Sequence, residues 1–291
     1  MIVDAHHHLW HLGGGYDWLD APELAPIRRT FGPGDLRAEL AAAGVTHTVL
    51  VEGGRCDADE AALLLGHARE TPEIAGVVAW DDPAAPVFPA YRDLPGAEHL
   101  VGLRAQVQAE DTGYLDRADV RAGLRRIGAA GLVFDLVIRA DQLPAAARVA
   151  AALPDVRFVL DHLGKPRIRA GGLAPWRAAL AGLAALPNVA AKLSGLVTEA
   201  DWEHWKPQDL QPYAEQALEL FGPARLMFGS DWPVCRLAAP YGRVLAVADE
   251  LITPLTSPAE RAQVFGGTAA EVYRLGVGGA GVESPRRDPW H

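Results

Sequence analysis

The feature that most constrains the fold is a repeat of short apolar runs, each followed by a stretch with helical periodicity. The 291 residues contain eight such runs, which are rich in β-branched side chains. They cover residues 2–5, 46–51, 74–80, 100–104, 132–137, 156–161, 189–193 and 226–229. Because most of the runs are continuous rather than alternating, they indicate strands that are buried on both faces, as in a parallel sheet.

Eight strand–helix units in one chain predict an α/β protein with a single closed (β/α)8 barrel, which we place at residues 1–275. Helices are predicted at residues 36–43, 59–69, 120–130, 145–153, 176–186, 210–221 and 243–251. The alternative is an open doubly wound sheet, which would need a glycine-rich phosphate loop after the first strand. That strand is followed instead by His-His-His-Leu-Trp at residues 6–10, so the barrel is favoured.

Two segments lie outside the repeat. Residues 10–33 form a long connection with several aromatic side chains, and long loops in compact domains are usually functional. Two interpretations of this connection stay open, a lid over the site and a packed surface excursion. The glycine-rich tail at residues 276–291 is predicted to be flexible. It is interpreted either as disordered or as a contact in a homo-oligomer.

Charge and composition narrow the classes of partner. The chain has 27 basic and 37 acidic residues, a net charge of −10, which argues against nucleic acid or an anionic membrane as the main partner. No run of about 18 apolar residues occurs, so no membrane span is predicted. Two distant cysteines make no disulfide framework, and the N-terminus does not have the pattern of a signal peptide. A cytoplasmic location is therefore expected.

The first strand ends in three consecutive histidines, His6, His7 and His8. Side chains at alternate positions of a strand share a face, so His6 and His8 are predicted to point into the barrel mouth while His7 points elsewhere. Two imidazoles at this spacing suit zinc or a similar divalent ion. A structural histidine pair is the alternative, since His-x-His often occurs by chance.

The sixth and eighth strands are followed by polar residues at the end where barrel enzymes build their sites. Residues 158–166 offer His162 as a metal ligand or substrate contact and Lys165 as a partner for a carboxylate. Asp161 is interpreted as a residue that orients a neighbouring histidine or caps the strand. Asp231, within Gly-Ser-Asp-Trp-Pro, is interpreted as a metal ligand and a general base for water, with a helix N-cap as the alternative.

Other strand ends supply candidates for contacts with a substrate. Arg104 ends the fourth run, and a guanidinium at the barrel mouth suits a carboxylate. Glu52 follows the second run. Three tryptophans, Trp10, Trp80 and Trp232, are expected to stack on the apolar face of a sugar, and each has an equally ordinary interpretation as a core residue.

Taken in order, these segments resemble the metal-dependent amidohydrolase superfamily and, within it, the amidohydrolase 2 group of sugar lactonases. The resemblance rests on residues 4–10, 76–80, 102–104, 158–166, 192–196 and 228–234, and on the closing segments 265–269 and 272–275. It implies a barrel enzyme that hydrolyses an aldonolactone such as fuconolactone or rhamnonolactone. It also implies that Asp231 activates the hydrolytic water, and that His6, His8 and His162 match the histidines of the first and sixth strands.

The chain departs from the superfamily at the positions that hold a second metal. Members with two metals carry a lysine or glutamate on the fourth strand and a histidine on the fifth, whereas the corresponding runs here offer Arg104 and Asp135. A two-metal site is therefore not predicted. We expect one divalent ion, with zinc in first place, or an enzyme that works without metal. The predicted ligands are His6, His8, His162 and Asp231.

These residues predict a mechanism and leave two alternatives. Asp231 is expected to deprotonate water, and His162 to stabilise the oxyanion that forms on a small lactone. Hydrolysis of a pyrone or muconate-type dicarboxylate lactone, or a related decarboxylation on the same barrel, is the first alternative. A barrel that has lost catalysis and only binds a sugar acid is the second.

Overall fold

The computed structural model describes residues 1–87 and 90–277, and it contains the eight strands that the sequence predicts. They are β1 (Val3–His7), β2 (His47–Val51), β3 (Ile74–Trp80), β4 (Leu100–Ala105), β5 (Val133–Leu136), β6 (Arg157–Leu160), β7 (Val189–Leu193) and β8 (Leu226–Phe228). All pairings between consecutive strands are parallel, and the order of the strands in the sheet is their order in the chain. The predicted α/β class and the (β/α)8 barrel are confirmed.

Among the described residues, helices cover the outside of the barrel in every unit except the third. They are α1 (Pro33–Ala43), α2 (Asp59–Glu70), α3 (Ala118–Ala129), α4 (Leu143–Ala152), α5 (Leu173–Ala184), α6 (Leu196–Glu199), α7 (Pro207–Phe221), α8 (Tyr241–Ile252), α9 (Pro258–Ala262) and α10 (Thr268–Val272). None of the seven predicted helices lies between β3 and β4, and the described residues form only short 3-10 turns there. Pro83, Pro86 and Pro95 lie in this segment, and proline lacks the N–H group that a helix interior needs.

An apolar layer fills part of the barrel interior. It is a buried cluster made mainly of strand residues, and it includes no residue of α1 to α8. Its strand members include Val3, Ala5, Val49, Val51, Val133, Val159, Ala190 and Met227. Ala269, Tyr273 and Leu275, from the last described part of the chain, belong to the same cluster. A second and larger cluster joins the other faces of the strands to the helices, so the strands are buried on both sides as predicted.

The barrel closes between β1 and β8, the strands that carry or precede three of the four predicted ligands. An isolated parallel bridge joins His7 to Trp232. The backbone N–H of His8 donates to Trp232 O over 2.7 Å, and the N–H of Asp231 donates to His6 O over 2.8 Å. Closure of the barrel therefore fixes the histidine pair and Asp231 relative to each other.

The buried Asp4 carboxylate strengthens this closure with side-chain hydrogen bonds. It accepts from the N–H of His6 over 3.1 Å and, across the β1–β8 junction, from the N–H and hydroxyl of Ser230 over 2.8 and 2.6 Å. The hydroxyl of Tyr241 donates to it over 3.0 Å. Gly229 is needed here, because a Cβ at this position would lie 2.8 Å from the Cβ of His6.

The long connection after β1 is packed against the barrel. It contains two short 3-10 turns, Asp17–Asp20 and Pro22–Ile27, and Trp10 pairs through its backbone with Phe31. The side chains of Trp10, Leu19 and Phe31 are buried. This arrangement supports the interpretation of the segment as a packed excursion.

Several sequence predictions concern other parts of the chain. In the predicted tail, residues 278–291 lie outside the described residues, so the domain boundary at residue 275 and the contact in a homo-oligomer stay predictions. Within the described part, no helix is both long and apolar enough to cross a membrane. Cys56 and Cys235 are free thiols.

Candidate active site

The four predicted ligands meet at the carboxyl-terminal end of the barrel. His6 Nε2 lies 3.1 Å from His8 Nε2, and His8 Nε2 lies 3.5 Å from a carboxylate oxygen of Asp231. The Nε2 atoms of His6 and His162 lie 3.8 and 3.9 Å from the same oxygen. None of the four side chains belongs to a residue more than 5 % exposed. His7 faces away, since its Nε2 lies 2.9 Å from Thr48 Oγ1, as the alternation along the strand predicts.

Left-handed backbone conformations aim several of these side chains. His162 has φ 51°, Lys165 φ 52° and Asp231 φ 57°. A non-glycine residue in this region costs of order 1–3 kcal/mol and persists only where its surroundings hold it, typically at functional sites. Gly195 is also left-handed with φ 65°, and a Cβ there would lie 2.8 Å from the Nδ1 atom of His162. The sequence therefore needs glycine at position 195 to seat the imidazole.

Each of two site histidines is oriented by a partner at its Nδ1 atom. His8 Nδ1 lies 3.0 Å from Val51 O, and because a carbonyl only accepts, the proton of neutral His8 is on Nδ1 and its Nε2 holds a lone pair. His162 Nδ1 lies 2.8 Å from the Ser194 hydroxyl. Both rings therefore turn their Nε2 atoms toward Asp231.

Five charged side chains near the site are almost fully buried, and three of them contact His6. We call them the buried ionic network, and they are Glu52, Arg104, Asp135, Asp161 and Lys192. Arg104 lies 2.6 Å from Glu52 and 3.0 Å from Asp161. Lys192 Nζ lies 2.6 Å from Asp135 and 3.0 Å from Asp161. Each cation thus bridges two carboxylates, and this pairing offsets the cost of burying the charges.

The network changes the interpretation of Arg104 and Glu52, which the sequence suggested as substrate contacts. Arg104 is 3 % exposed, and it also donates to the backbone oxygen of Glu52 over 2.6 Å. The Glu52 carboxylate accepts further bonds from the Gln106 amide and from the N–H of Gly54. These contacts favour a structural role for Arg104 and Glu52, because their polar groups bind each other.

The other predicted substrate contacts differ in their exposure. Trp232 has no exposed surface and packs edge-on against Phe31, which corrects the expectation that its face meets a sugar. Trp10 is also buried, and its ring lies beside that of His8 with 6.5 Å between the centroids, so it supports the imidazole. Trp80 and Lys165 are half-buried. Within the described residues, the Lys165 ammonium has no ion-pair partner.

Burial sets the protonation states at the site. It lowers the pKa of His6 well below 6.5, with a further decrease from Lys192, and it lowers the pKa of His162 to about 4. Burial alone would raise the pKa of Asp231, but His162, His8 and Lys165 outweigh it and hold this pKa below its usual value. At neutral pH an ionised Asp231 therefore lies beside neutral His6 and His162, which is the arrangement that a general base needs.

Sequence reasoning missed Lys192 and Tyr273 and gave Asp135 no function. Lys192 interrupts the apolar strand Val-Ala-Ala-Lys-Leu, and lysine is almost never fully buried without a partner. A lysine within an apolar strand could therefore have indicated a buried ion pair. The hydroxyl of Tyr273 donates to Asp135 at 2.8 to 2.9 Å, and since 138 residues separate the two in sequence, no local pattern announces the contact.

The same residues satisfy the geometry of a metal site. His6, His8 and Asp231 form one of the groups within the described residues that could hold an ion. Their ligand atoms lie 3.1 to 3.8 Å apart, which is near the ~3.3 Å that separates the ligands of a tetrahedral zinc ion. The carbonyl on His8 Nδ1 is also the usual partner of a metal-bound histidine. This donor set therefore fits zinc.

Glu60, at the start of α2, is a buried carboxyl close to the network. Burial and then Glu52 raise its pKa to about 7. The N–H of Gly53 donates to one of its oxygens over 2.7 Å, and the other oxygen has no partner among the described residues. The folded protein binds this proton more tightly than the unfolded chain, whose Glu60 has the ordinary pKa of 4.5. The stabilisation is therefore full below about pH 4.5 and is lost as the pH rises through about 7.

We expect Glu60→Gln to be more stable than the parent protein at about pH 8, by up to ~3 kcal/mol, because it removes the need to bury a charge. The advantage should shrink steadily toward about pH 5. Urea unfolding at several pH values measures the difference, with the exposed Glu203→Gln as the matched control. An advantage that does not change with pH would contradict this explanation.

An ionised aspartate, neutral imidazoles and a donor set suited to zinc at the carboxyl end of a (β/α)8 barrel define a site of the hydrolase type. The sequence profile of the amidohydrolase family matches residues 3–275, and the chain belongs to this family.

Individual relatives agree with this assignment over almost the whole chain. The chain is 39 % identical over 288 residues to L-fucono-1,5-lactonase from Burkholderia multivorans, with 94 % of this chain and 96 % of the relative covered. It is 36 % identical over 278 residues to L-fucono-1,5-lactonase from Burkholderia ambifaria, with 94 % and 95 % covered. A crystal structure of an amidohydrolase from Burkholderia multivorans with bound zinc has a TM-score of 0.87 at 36 % identity and covers 94 % of this chain and 99 % of that one.

Proposed function

We propose that this chain is a lactonase that hydrolyses a sugar-acid 1,5-lactone, with L-fucono-1,5-lactone as the first substrate to test. The observation that carries the proposal is the 39 % identity to L-fucono-1,5-lactonase over 94 % of this chain. The chemistry of the site agrees with it. A lactone is an activated ester, so its hydrolysis needs a base for water and a donor for the oxyanion.

In this mechanism, Asp231 accepts a proton from the water that attacks the lactone carbonyl carbon. The new carbon–oxygen bond leaves a negative charge on the carbonyl oxygen, and His162 donates to it from Nε2 while Ser194 donates to His162 Nδ1. The bond from this carbon to the ring oxygen then breaks. The ring oxygen takes the proton back from Asp231 and leaves as a hydroxyl group, so the product is the open sugar acid.

The charges of the pocket favour a neutral lactone over a dicarboxylate. Arg104 and Lys192 are both committed to buried carboxylates, which leaves Lys165 as the predicted cation that can meet a ligand. We assign Lys165 to a substrate hydroxyl or to the product carboxylate, and Trp80 to the apolar face of the sugar. A dicarboxylate would need a second available cation to be held equally well.

A proton-release assay with a pH indicator tests the function. The panel contains L-fucono-1,5-lactone, other aldono-1,5-lactones and 2-pyrone-4,6-dicarboxylate, each corrected for its uncatalysed hydrolysis. We expect the highest kcat/KM with an aldonolactone. Turnover of the dicarboxylate alone would favour the alternative reaction, and an absence of turnover with every compound would favour a binding protein.

We further propose that His6, His8 and Asp231 hold one zinc ion, with His162 beside it. The support is the spacing of their ligand atoms and the carbonyl that orients His8. When bound, zinc would increase the acidity of a water molecule or polarise a carbonyl group. The base and the oxyanion donor assigned above are groups of this chain and do not depend on it.

His8→Asn should lower the affinity for zinc at least about a hundredfold, because one of three protein ligands is lost. Competition with a chromophoric chelator measures the dissociation constant, and elemental analysis gives the zinc content of the purified protein. His11→Asn is the matched control, since this neighbouring histidine is exposed. Equal zinc affinity in the parent and the His8 variant would contradict the assignment of the ligands.

A further inference from the structure

Lys192 is placed to act on the His6 ring. Its Nζ atom lies 3.1 Å from His6 Nδ1, 2.6 Å from Asp135 and 3.0 Å from Asp161. The side chain has no exposed surface. An ammonium group has three N–H donors and no acceptor, so it meets His6 Nδ1 as a donor, and Nδ1 must then present a lone pair.

The contacts on the other side of the ring agree with this assignment. An imidazole whose Nδ1 accepts a hydrogen bond from Lys192 carries its single proton on Nε2. In the neutral form of His8, donation from Nδ1 to Val51 O leaves a lone pair on Nε2. The 3.1 Å contact between the two Nε2 atoms is then a hydrogen bond from His6 to His8. The hydrogen bonds then all run in one direction, from Lys192 through His6 and His8 to the carbonyl oxygen of Val51.

Two further contacts suit the opposite tautomer of His6, with the proton on Nδ1. The buried Asp161 Oδ1 atom lies 3.3 Å from His6 Nδ1, and among the described residues its other charged contact is the ion pair with Lys192 at 3.0 Å. Arg104 lies 3.4 Å from His6 Nε2, and as a pure donor it would need a lone pair there. In this tautomer Nε2 is free to bind a metal ion, and Asp161 accepts the proton of Nδ1.

We propose that Lys192 is a positioning residue that keeps His6 in the Nε2–H tautomer and thereby opposes zinc binding at His6, whereas Asp161 favours the zinc-binding tautomer. Two buried side chains on one imidazole thus set how readily the site accepts a metal. This inference rests on the zinc site proposed above. It does not depend on the identity of the lactone, so its test uses no activity measurement.

The first measurement uses the unaltered protein. In zinc-free protein labelled with 15N at the histidine rings, we expect the His6 resonances to show an unprotonated Nδ1 and a protonated Nε2, and zinc should reverse this pattern. A His6→Asn sample identifies the resonances, and the buried His7, whose ring contacts Thr48, should not change. A proton on Nδ1 of His6 in the zinc-free protein would overturn the proposal.

The second measurement is zinc affinity in two variants with opposite expected effects. Lys192→Met should bind zinc at least about tenfold more tightly, and Asp161→Asn at least about tenfold more weakly, which is the usual size of effects from residues behind a ligand. Lys206→Met removes the same charge at the surface and should change nothing.

The ring tautomer separates this proposal from a simple effect of charge. If Lys192→Met binds zinc more tightly while its zinc-free His6 keeps the proton on Nε2, the loss of a nearby positive charge explains the result and the proposal fails. It also fails if the folded variants bind zinc as the parent does, or if none of them binds it. If Lys192→Met does not fold, the His6 tautomer in the unaltered protein and the zinc affinity of Asp161→Asn still test the proposal.

Discussion

Replacing Asp231 with asparagine is expected to lower kcat for lactone hydrolysis roughly a thousandfold, within the range that a general base contributes. The amide cannot accept the proton of the attacking water at neutral pH. The fold should survive, because Asp231 has φ 57° and asparagine tolerates this left-handed conformation about as well as aspartate does. Initial rates over a range of lactone concentrations measure kcat and KM separately.

Two controls make the Asp231 result specific. Asp155→Asn removes an exposed carboxylate and should leave kcat unchanged. Because Asp231 is also a proposed zinc ligand, both proteins are assayed after chelator treatment and again with saturating zinc. A defect that saturating zinc restores would mean that Asp231 serves only as a ligand, and a decrease of less than about tenfold in both states would contradict its assignment as the base.

Replacing Arg104 with methionine is expected to lower the free energy of unfolding by about 3–5 kcal/mol, which is the usual result of removing one partner from a buried ion pair. Methionine fills most of the same volume but leaves Glu52 and part of Asp161 without a counter-charge. Urea or thermal unfolding measures the loss. We expect this stability effect to exceed any direct effect on KM, because Arg104 is committed to the network.

A double variant tests whether the lost charge pairing is the cause. Arg104→Met combined with Glu52→Gln removes one stranded charge together with its partner and should recover at least a third of the lost stability. Arg28→Met removes a half-exposed arginine that pairs with Asp20 and should cost less than about 1 kcal/mol. If Arg104→Met were as stable as the parent and raised KM strongly, the result would support the original interpretation of Arg104 as a substrate contact.

The strands were predictable because each carries its information locally. The apolar runs at 74–80 and 189–193 coincide with β3 and β7 to the residue, and the other strands differ by a few residues at their ends. The third unit was assumed to repeat like the others although no helix could be placed in it, and the prolines of that segment explain why it has none. A local signal that contradicts the repeat therefore deserved more weight than the repeat itself.

The site was only partly predictable, and the reason is physical. His6, His8, His162 and Asp231 could be found because strand ends of a barrel converge on one face. What each polar side chain contacts depends on residues far away in sequence, such as the 52 positions between Glu52 and Arg104 or the 57 between Asp135 and Lys192. The sequence therefore indicated which residue types surround the mouth but not that Arg104 and Glu52 neutralise each other.

The buried ionic network has a consequence for directed evolution of this barrel. Its members come from five different strands or the positions just after them. A single substitution in the network leaves a buried charge of the opposite sign without a partner. Libraries that vary these positions one at a time are therefore expected to contain mainly misfolded proteins. Lys165 and Trp80 are half-buried and lie outside the network. Diversity aimed at a new substrate range belongs at such positions, where a failed substitution costs the barrel little.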